Sequence, residues 1–174
     1  MNNRTVLFGG KSTGGIAFTG TLAACSLVLG WIEFIMPISS VPGIKLGISN
    51  IVIVIALYNL SKTSACFLSI IKPLLSCFLF SGASALPFSL SGSLLSFAAM
   101  MLVYKRKSVS EIGASALGGA MHITAQVLAA IILTGTPSLW RLLPVLWLCG
   151  IITGTLIGVV SKIIGKRIVG IRKF

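Results

Sequence analysis

The chain contains no aspartate, and its acidic residues number two, Glu33 and Glu111, in 174 positions. Enzymes that transfer prenyl groups or hydrolyse diphosphates hold Mg²⁺ through several carboxylates, and two glutamates do not supply them. Charge of either sign is scarce: 9% of residues are charged, against roughly 25% in a soluble globular chain. That scarcity excludes an ordinary soluble domain, a disordered chain and a nucleic-acid module. The one histidine and the four cysteines show no CxxC or Cys/His ligand spacing, so no metal cluster is expected, and Cys25, Cys66, Cys77 and Cys149 read as small buried hydrophobes. No serine, histidine and acid fall at a spacing suited to nucleophilic catalysis. Gly10-Lys11-Ser12 copies the end of a phosphate-binding GxxxxGK[ST] loop, but Thr5 stands at the first glycine position and no strand precedes it. Covalent chemistry and autonomous ATP-driven pumping are therefore not expected, and no cofactor is implied.

What fills the sequence instead is apolar. Hydrophobic residues make up 56%, and the mean hydropathy is +1.06. At about 20 residues per transmembrane helix plus short loops, the length accommodates six spans in a single domain, residues 1–174. The apolar runs place them at about 15–36, 44–60, 63–81, 85–104, 112–133 and 140–164. Arg4 and Lys11 before the first run would suit a signal peptide. The run continues through Trp31-Ile32-Glu33-Phe34-Ile35-Met36 without a small-residue cleavage site, so it reads as a span.

The net charge of +12 lies between the runs rather than on one face. With the N-terminus cytoplasmic, the inner segments hold Arg4, Lys11, Lys62, Lys105, Arg106, Lys107, Lys162, Lys166, Arg167, Arg172 and Lys173. The outer segments hold Lys45 and Arg141. Basic residues favour the cytoplasmic side, so both termini are expected there, with an even number of spans. The basic tail fits attraction to anionic lipid.

This topology assigns a depth to each polar residue. Glu33 falls near the outer end of span one, Lys45 at the mouth of span two, and Asn50 a turn further in. Lys72 lies near the middle of span three, His122 and Gln126 on one face of span five, and Arg141 at the outer start of span six. The inner halves read as almost wholly apolar. A charge inside the membrane costs roughly 2.5–3.5 kcal/mol on insertion scales, so such residues face a partner or a cavity. Two readings are open. Glu33 pairs with Lys72 or Arg141 to hold helices together, or these side chains line a cavity that opens outward and binds a solute. Pro73 frees a carbonyl one turn back, which serves a packing kink or a ligand space equally. Gly150, Gly154 and Gly158 in span six suit close packing within the subunit, and Gly20 and Ala24 in span one suit docking of another membrane subunit.

Glu33, a proline-containing loop, and then Pro42-Gly43-Ile44-Lys45-Leu46-Gly47-Ile48-Ser49-Asn50 resemble the signature of the Gx transporter family. That family is also described as heptaprenyl diphosphate synthase component I, and is similar to the substrate-binding S components of energy-coupling factor transporters. The resemblance covers about residues 15–165. Lys72 stands where that family tends to carry Arg, and Ile123 replaces the Asn of a His-Asn-x-x-Gln pattern whose His122 and Gln126 are kept. The resemblance implies an all-α bundle of six transmembrane helices in a bacterial cytoplasmic membrane. It implies an outward site for a micronutrient, and as partners a transmembrane coupling subunit, contacted through Gly20 and Ala24, and ATPase subunits. The site would comprise Glu33, Lys45, Asn50, Lys72, His122, Gln126 and Arg141, and its cationic character suggests a polar or anionic ligand. The other description implies a membrane subunit that assists heptaprenyl diphosphate synthesis without supplying its metal site.

Overall fold

The computed structural model describes residues 13–36, 45 and 47–171, with side chains as far as 168. Arg4, Lys11, Arg172, Lys173, the loop 37–43 and part of the 42–50 signature lie outside the described residues. Among the described residues every regular element is helical. Helix α1 spans Thr13–Ile35. A 3-10 turn, Ile48–Asn50, leads into α2, Ile51–Asn59. Helix α3 spans Lys62–Ser76 and runs on through a π turn, Cys77–Ser81; a 3-10 turn, Ala83–Ala85, opens α4, Leu86–Val103. Helix α5 spans Glu111–Thr134, and α6, Leu143–Ile171, is entered through the 3-10 turn Pro137–Leu142.

Local chemistry sets these limits. The Ser61 and Ser110 hydroxyls accept from the backbone N–H groups of Ser64 and Gly113, so each serine caps a helix start. Gly135, in the left-handed region at φ 62°, ends α5.

Five of these units are long and apolar enough to cross a membrane: Thr13–Ile35, Lys62–Ser81, Ala83–Val103, Glu111–Thr134 and Pro137–Ile168. The expected second span differs. Its helical part is Ile48–Asn59, which at 1.5 Å per residue is ~18 Å long, short of a hydrocarbon core ~30 Å thick. Helix formation cannot extend upstream because Gly47 holds φ 80°, outside the right-handed region. The short helix is apolar on every side, and Val52 to Leu57 are all buried. It forms the core of the bundle with Leu22 of α1, Ala65 and Leu68 of α3, Met100 of α4 and Ile157 of α6.

Helix α5 lies between α4 and α6 along most of its length. The α5–α6 seam is built from glycine. A Cβ at Gly119 would fall 2.1 Å from the Gly150 carbonyl oxygen, and one at Gly154 would fall 2.5 Å from that of Ser115. The small-residue row of span six thus packs within the subunit, as its spacing predicts. Gly20 is the opposite case: a Cβ there would meet nothing within 4 Å, and Gly20 and Ala24 are both exposed on α1.

Candidate functional site

Glu33 sits in the last turn of α1 with its side chain turned into the bundle. Its carboxylate accepts from the backbone N–H groups of Gly47 (2.6 Å), Ile48 (2.9 Å) and Ser49 (3.2 Å), and from the Ser49 hydroxyl (2.8 Å). These are the N–H groups that a helix start leaves without intrahelical partners, and a negative charge there is favoured by the helix dipole. Glu33 is therefore a cap supplied by one helix to the start of another.

Lys72, buried on α3, donates from Nζ to Ser49 Oγ at 3.2 Å and to Asn50 Oδ1. Asn50 Nδ2 lies 3.0 Å from His122 Nδ1, and Gln126 Nε2 lies 3.0 Å from His122 Nε2. Gln126 Oε1 accepts from the Lys45 backbone N–H at 3.1 Å, and Lys45 Nζ donates to Ser81 Oγ at 2.7 Å. The structure thus joins Glu33, Lys45, Asn50, Lys72, His122 and Gln126 in one network, drawn from α1, the approach to α2, α3 and α5. Arg141 does not join it. It is exposed in the turn before α6 and lines neither cavity described below.

The ring of His122 fits because two glycines flank it. A Cβ at Gly92 would fall 2.8 Å from Cε1, and one at Gly47 would fall 3.0 Å from Cδ2. A cavity of about 20 Å³ is lined by Glu33, Lys45, Lys72, His122 and Gln126 together with Ser26, Gly30, Ser76 and Ser89. That is space for one ordered water, which needs ~10–15 Å³.

The network has a donor too many. Lys72 at one end and the Lys45 N–H at the other can only donate. They fix Asn50 Oδ1 and Gln126 Oε1 as acceptors, so both amides turn their N–H₂ groups toward the imidazole. A neutral ring accepts at one nitrogen, and a protonated ring at neither. The other nitrogen of a neutral ring carries its N–H, so one amide N–H₂ faces a donor. Flipping either amide only moves the conflict to a lysine. An unsatisfied buried donor costs about 1–3 kcal/mol, and an added acceptor removes that cost. The charges point the same way, since the network holds two lysines and one carboxylate, whose oxygens already accept four hydrogen bonds.

Sequence reading missed Ser49 and Ser81, since serines within apolar runs carry no distinguishing pattern. It also overstated how apolar the far half of the bundle is. Glu111 is buried at the start of α5 and accepts from Ser161 Oγ at 2.9 Å, with Ser115 and Ser96 buried nearer the cluster. Glu111 lies just before the apolar run that begins at Ile112 and so read as part of the loop after Lys105-Arg106-Lys107. Ser110 instead caps the helix in front of it and carries it into the bundle.

With this geometry in hand, the comparison with known families is specific. The profile of heptaprenyl diphosphate synthase component I matches residues 22–164. The chain belongs to that family. The match covers well over half of the chain and every residue of the network. No curated protein and no solved structure matches the chain. Among the described residues no group of three or more His, Cys, Asp or Glu could hold a metal ion. Within this component I protein the network carries hydrogen-bond donors in excess around a small cavity.

Proposed function

We propose that this component I protein is a membrane-embedded binding subunit that takes up a small, acceptor-rich solute, anionic or strongly polar, from the outer face of a bacterial cytoplasmic membrane. The observation that carries the reading is the donor surplus around His122, flanked by Lys72 and Lys45. A carboxylate or phosphoryl oxygen placed against Lys72 and the two amides would complete the network with charge-assisted hydrogen bonds. The cavity as it stands holds about one water, so binding requires the cluster to open. In this reading the protein works as an S-component-like subunit of an energy-coupling factor transporter. The exposed small-residue face of α1 around Gly20 and Ala24 docks the coupling subunit, and separate ATPase subunits drive the cycle.

The second reading is favoured by the family's own description. In it the protein is the membrane subunit of a heptaprenyl diphosphate synthase, and the same lysines hold a diphosphate while another chain supplies the carboxylates and metal. The family description supports this assignment more directly than it supports transport. The donor-rich site supports a binding role in either case.

Native mass spectrometry of the protein purified from its own membranes tests the shared claim by identifying a retained ligand. Lys72→Met should weaken binding of that ligand by at least about tenfold, or ~1.4 kcal/mol, while the protein stays folded. Unchanged binding would return the cluster to a purely structural role. Co-purification with a coupling subunit and ATPases supports the first reading; co-purification with a prenyl-synthase catalytic subunit supports the second.

A further inference from the structure

The cavity at the Lys72–His122 cluster has acceptors as well as donors on its walls, and serines supply them. Ser26 of α1 donates to the Ala23 carbonyl at 2.6 Å, and Ser76 of α3 donates to the Pro73 carbonyl at 3.1 Å. A hydroxyl has one proton and two lone pairs. With the proton held by a carbonyl of its own helix, each of these oxygens turns lone pairs to the cavity that it lines. Glu33 adds nothing to them, since its oxygens already accept four hydrogen bonds. Ser49 adds nothing either, because its hydroxyl donates to Glu33 and accepts from Lys72.

Ser89 of α4 is a different case. Its hydroxyl is buried, and the residue lines the same cavity, yet it has no hydrogen-bond partner among the described residues. Ser91, two residues on, bonds the Phe88 carbonyl at 3.2 Å, so this stretch of helix does not forbid the local bond. A buried hydroxyl left without a partner is costly, and the group that completes Ser89 must come from the cavity. A second cavity, of about 10 Å³, also touches Asn50, together with Ser96 and Ser115. No charged side chain lines it, and it has room for about one water. The contacts of a charged guest are therefore those of the first cavity.

We propose, resting on the binding reading above, that the solute is an acid that also carries O–H or N–H groups: a hydroxylated or amino-bearing carboxylate or phosphate. Its acidic oxygens meet Lys72 and the surplus amide N–H₂, and its donors meet Ser89, Ser26 and Ser76. An acid whose remainder is hydrocarbon would put C–H groups against these three oxygens and leave Ser89 without a partner. A prenyl diphosphate is of that kind, with acceptors at one end and no donor along its chain. Lys72 thus selects for an acid, and the serines select among acids.

The test begins with the full-length protein purified in detergent from its own membranes. The molecules it retains are released by denaturation and identified by mass spectrometry, and their exchangeable hydrogens are counted by repeating the measurement in D₂O. A retained acid with at least one O–H or N–H besides its acidic protons is expected. A retained acid with none, a prenyl diphosphate included, would overturn the proposal and leave the binding reading standing. Protein that retains no small molecule would overturn both. The identified acid is then the probe for variants of equal helix content and equal monodispersity. Its affinity should fall at least about tenfold in Ser89→Ala and stay unchanged in Ser91→Ala, whose hydroxyl is already bonded to Phe88. An analogue with its O–H or N–H groups replaced by hydrogen should bind Ser89→Ala as well as it binds the wild type. Undiminished affinity of folded Ser89→Ala for the identified acid would overturn the proposal. Should Ser89→Ala fail to fold, Ser26→Ala decides the outcome by the same measurement.

Discussion

Removing the charge of Glu33 separates a structural clasp from a ligand contact. In Glu33→Gln one oxygen remains and can keep the bonds that Oε1 receives from the Gly47 and Ile48 N–H groups. The other oxygen becomes an N–H₂ group facing the Ser49 N–H and hydroxyl. The hydroxyl can turn and accept, but the N–H cannot, and losing its acceptor costs about 1–3 kcal/mol. The two remaining bonds drop from charge-assisted to neutral strength, and the favourable charge at the start of α2 is lost, worth about 0.3–2 kcal/mol. Together these give a destabilisation of ~3 kcal/mol, a large share of the 5–15 kcal/mol typical of a folded domain. Equilibrium unfolding of the detergent-purified protein by SDS titration, followed by tryptophan fluorescence, measures it. Ser49→Ala and the double variant complete a cycle, and the coupling between the two positions should exceed about 0.5 kcal/mol. A Glu33→Gln protein as stable as wild type to within about 0.5 kcal/mol, yet unable to retain its ligand, would refute the clasp and make Glu33 a ligand contact.

Three other outcomes are expected. Gly119→Ala should prevent the α5–α6 seam from closing, because its Cβ would lie 2.1 Å from a backbone oxygen, whereas Gly20→Ala should leave stability unchanged; thermal melts of the two variants check the contrast. Cysteines introduced at positions 106 and 138 should label from opposite sides of the membrane, the first from the cytoplasm, and labelling of both from one side would overturn the topology. Ala24→Trp should block assembly with a partner subunit while ligand retention, read by native mass spectrometry, persists; loss of both would place that face in the core.

The membrane class and the helical content were legible because hydropathy over about 20 residues is a strong signal. The short second helix was not. Hydropathy registers Ile44 to Leu60 as one run and does not see that Gly47 interrupts the backbone within it. For the site, the cost of burying polar groups was enough to gather Glu33, Asn50, Lys72, His122 and Gln126, and depth along the spans brought in Lys45. Arg141 met the same depth criterion, yet its short turn leaves it at the surface, since depth does not say which way a side chain faces. The partnership of Glu33 with backbone N–H groups was also hidden, because a pattern of side chains does not show where the main chain will be short of acceptors. Ser49 and Ser81 look like any small residue in an apolar run, and only their partners in the folded chain distinguish them.

The glycine seam between α5 and α6 has a mechanical consequence. Two backbones in near contact over several turns cannot separate by small amounts without losing all of that contact, so α5 and α6 behave as one plank, with α4 fastened along it. Helix α1 is the least buried of the five long helices, and its C-terminal end is tied to the bundle by the Glu33 carboxylate reaching the start of α2 and by the contact of the Phe34 and Phe80 rings. A bundle built this way yields on the α1 side first. His122 and Gln126 stay fixed on the plank, and the parting surface passes through the space in front of them.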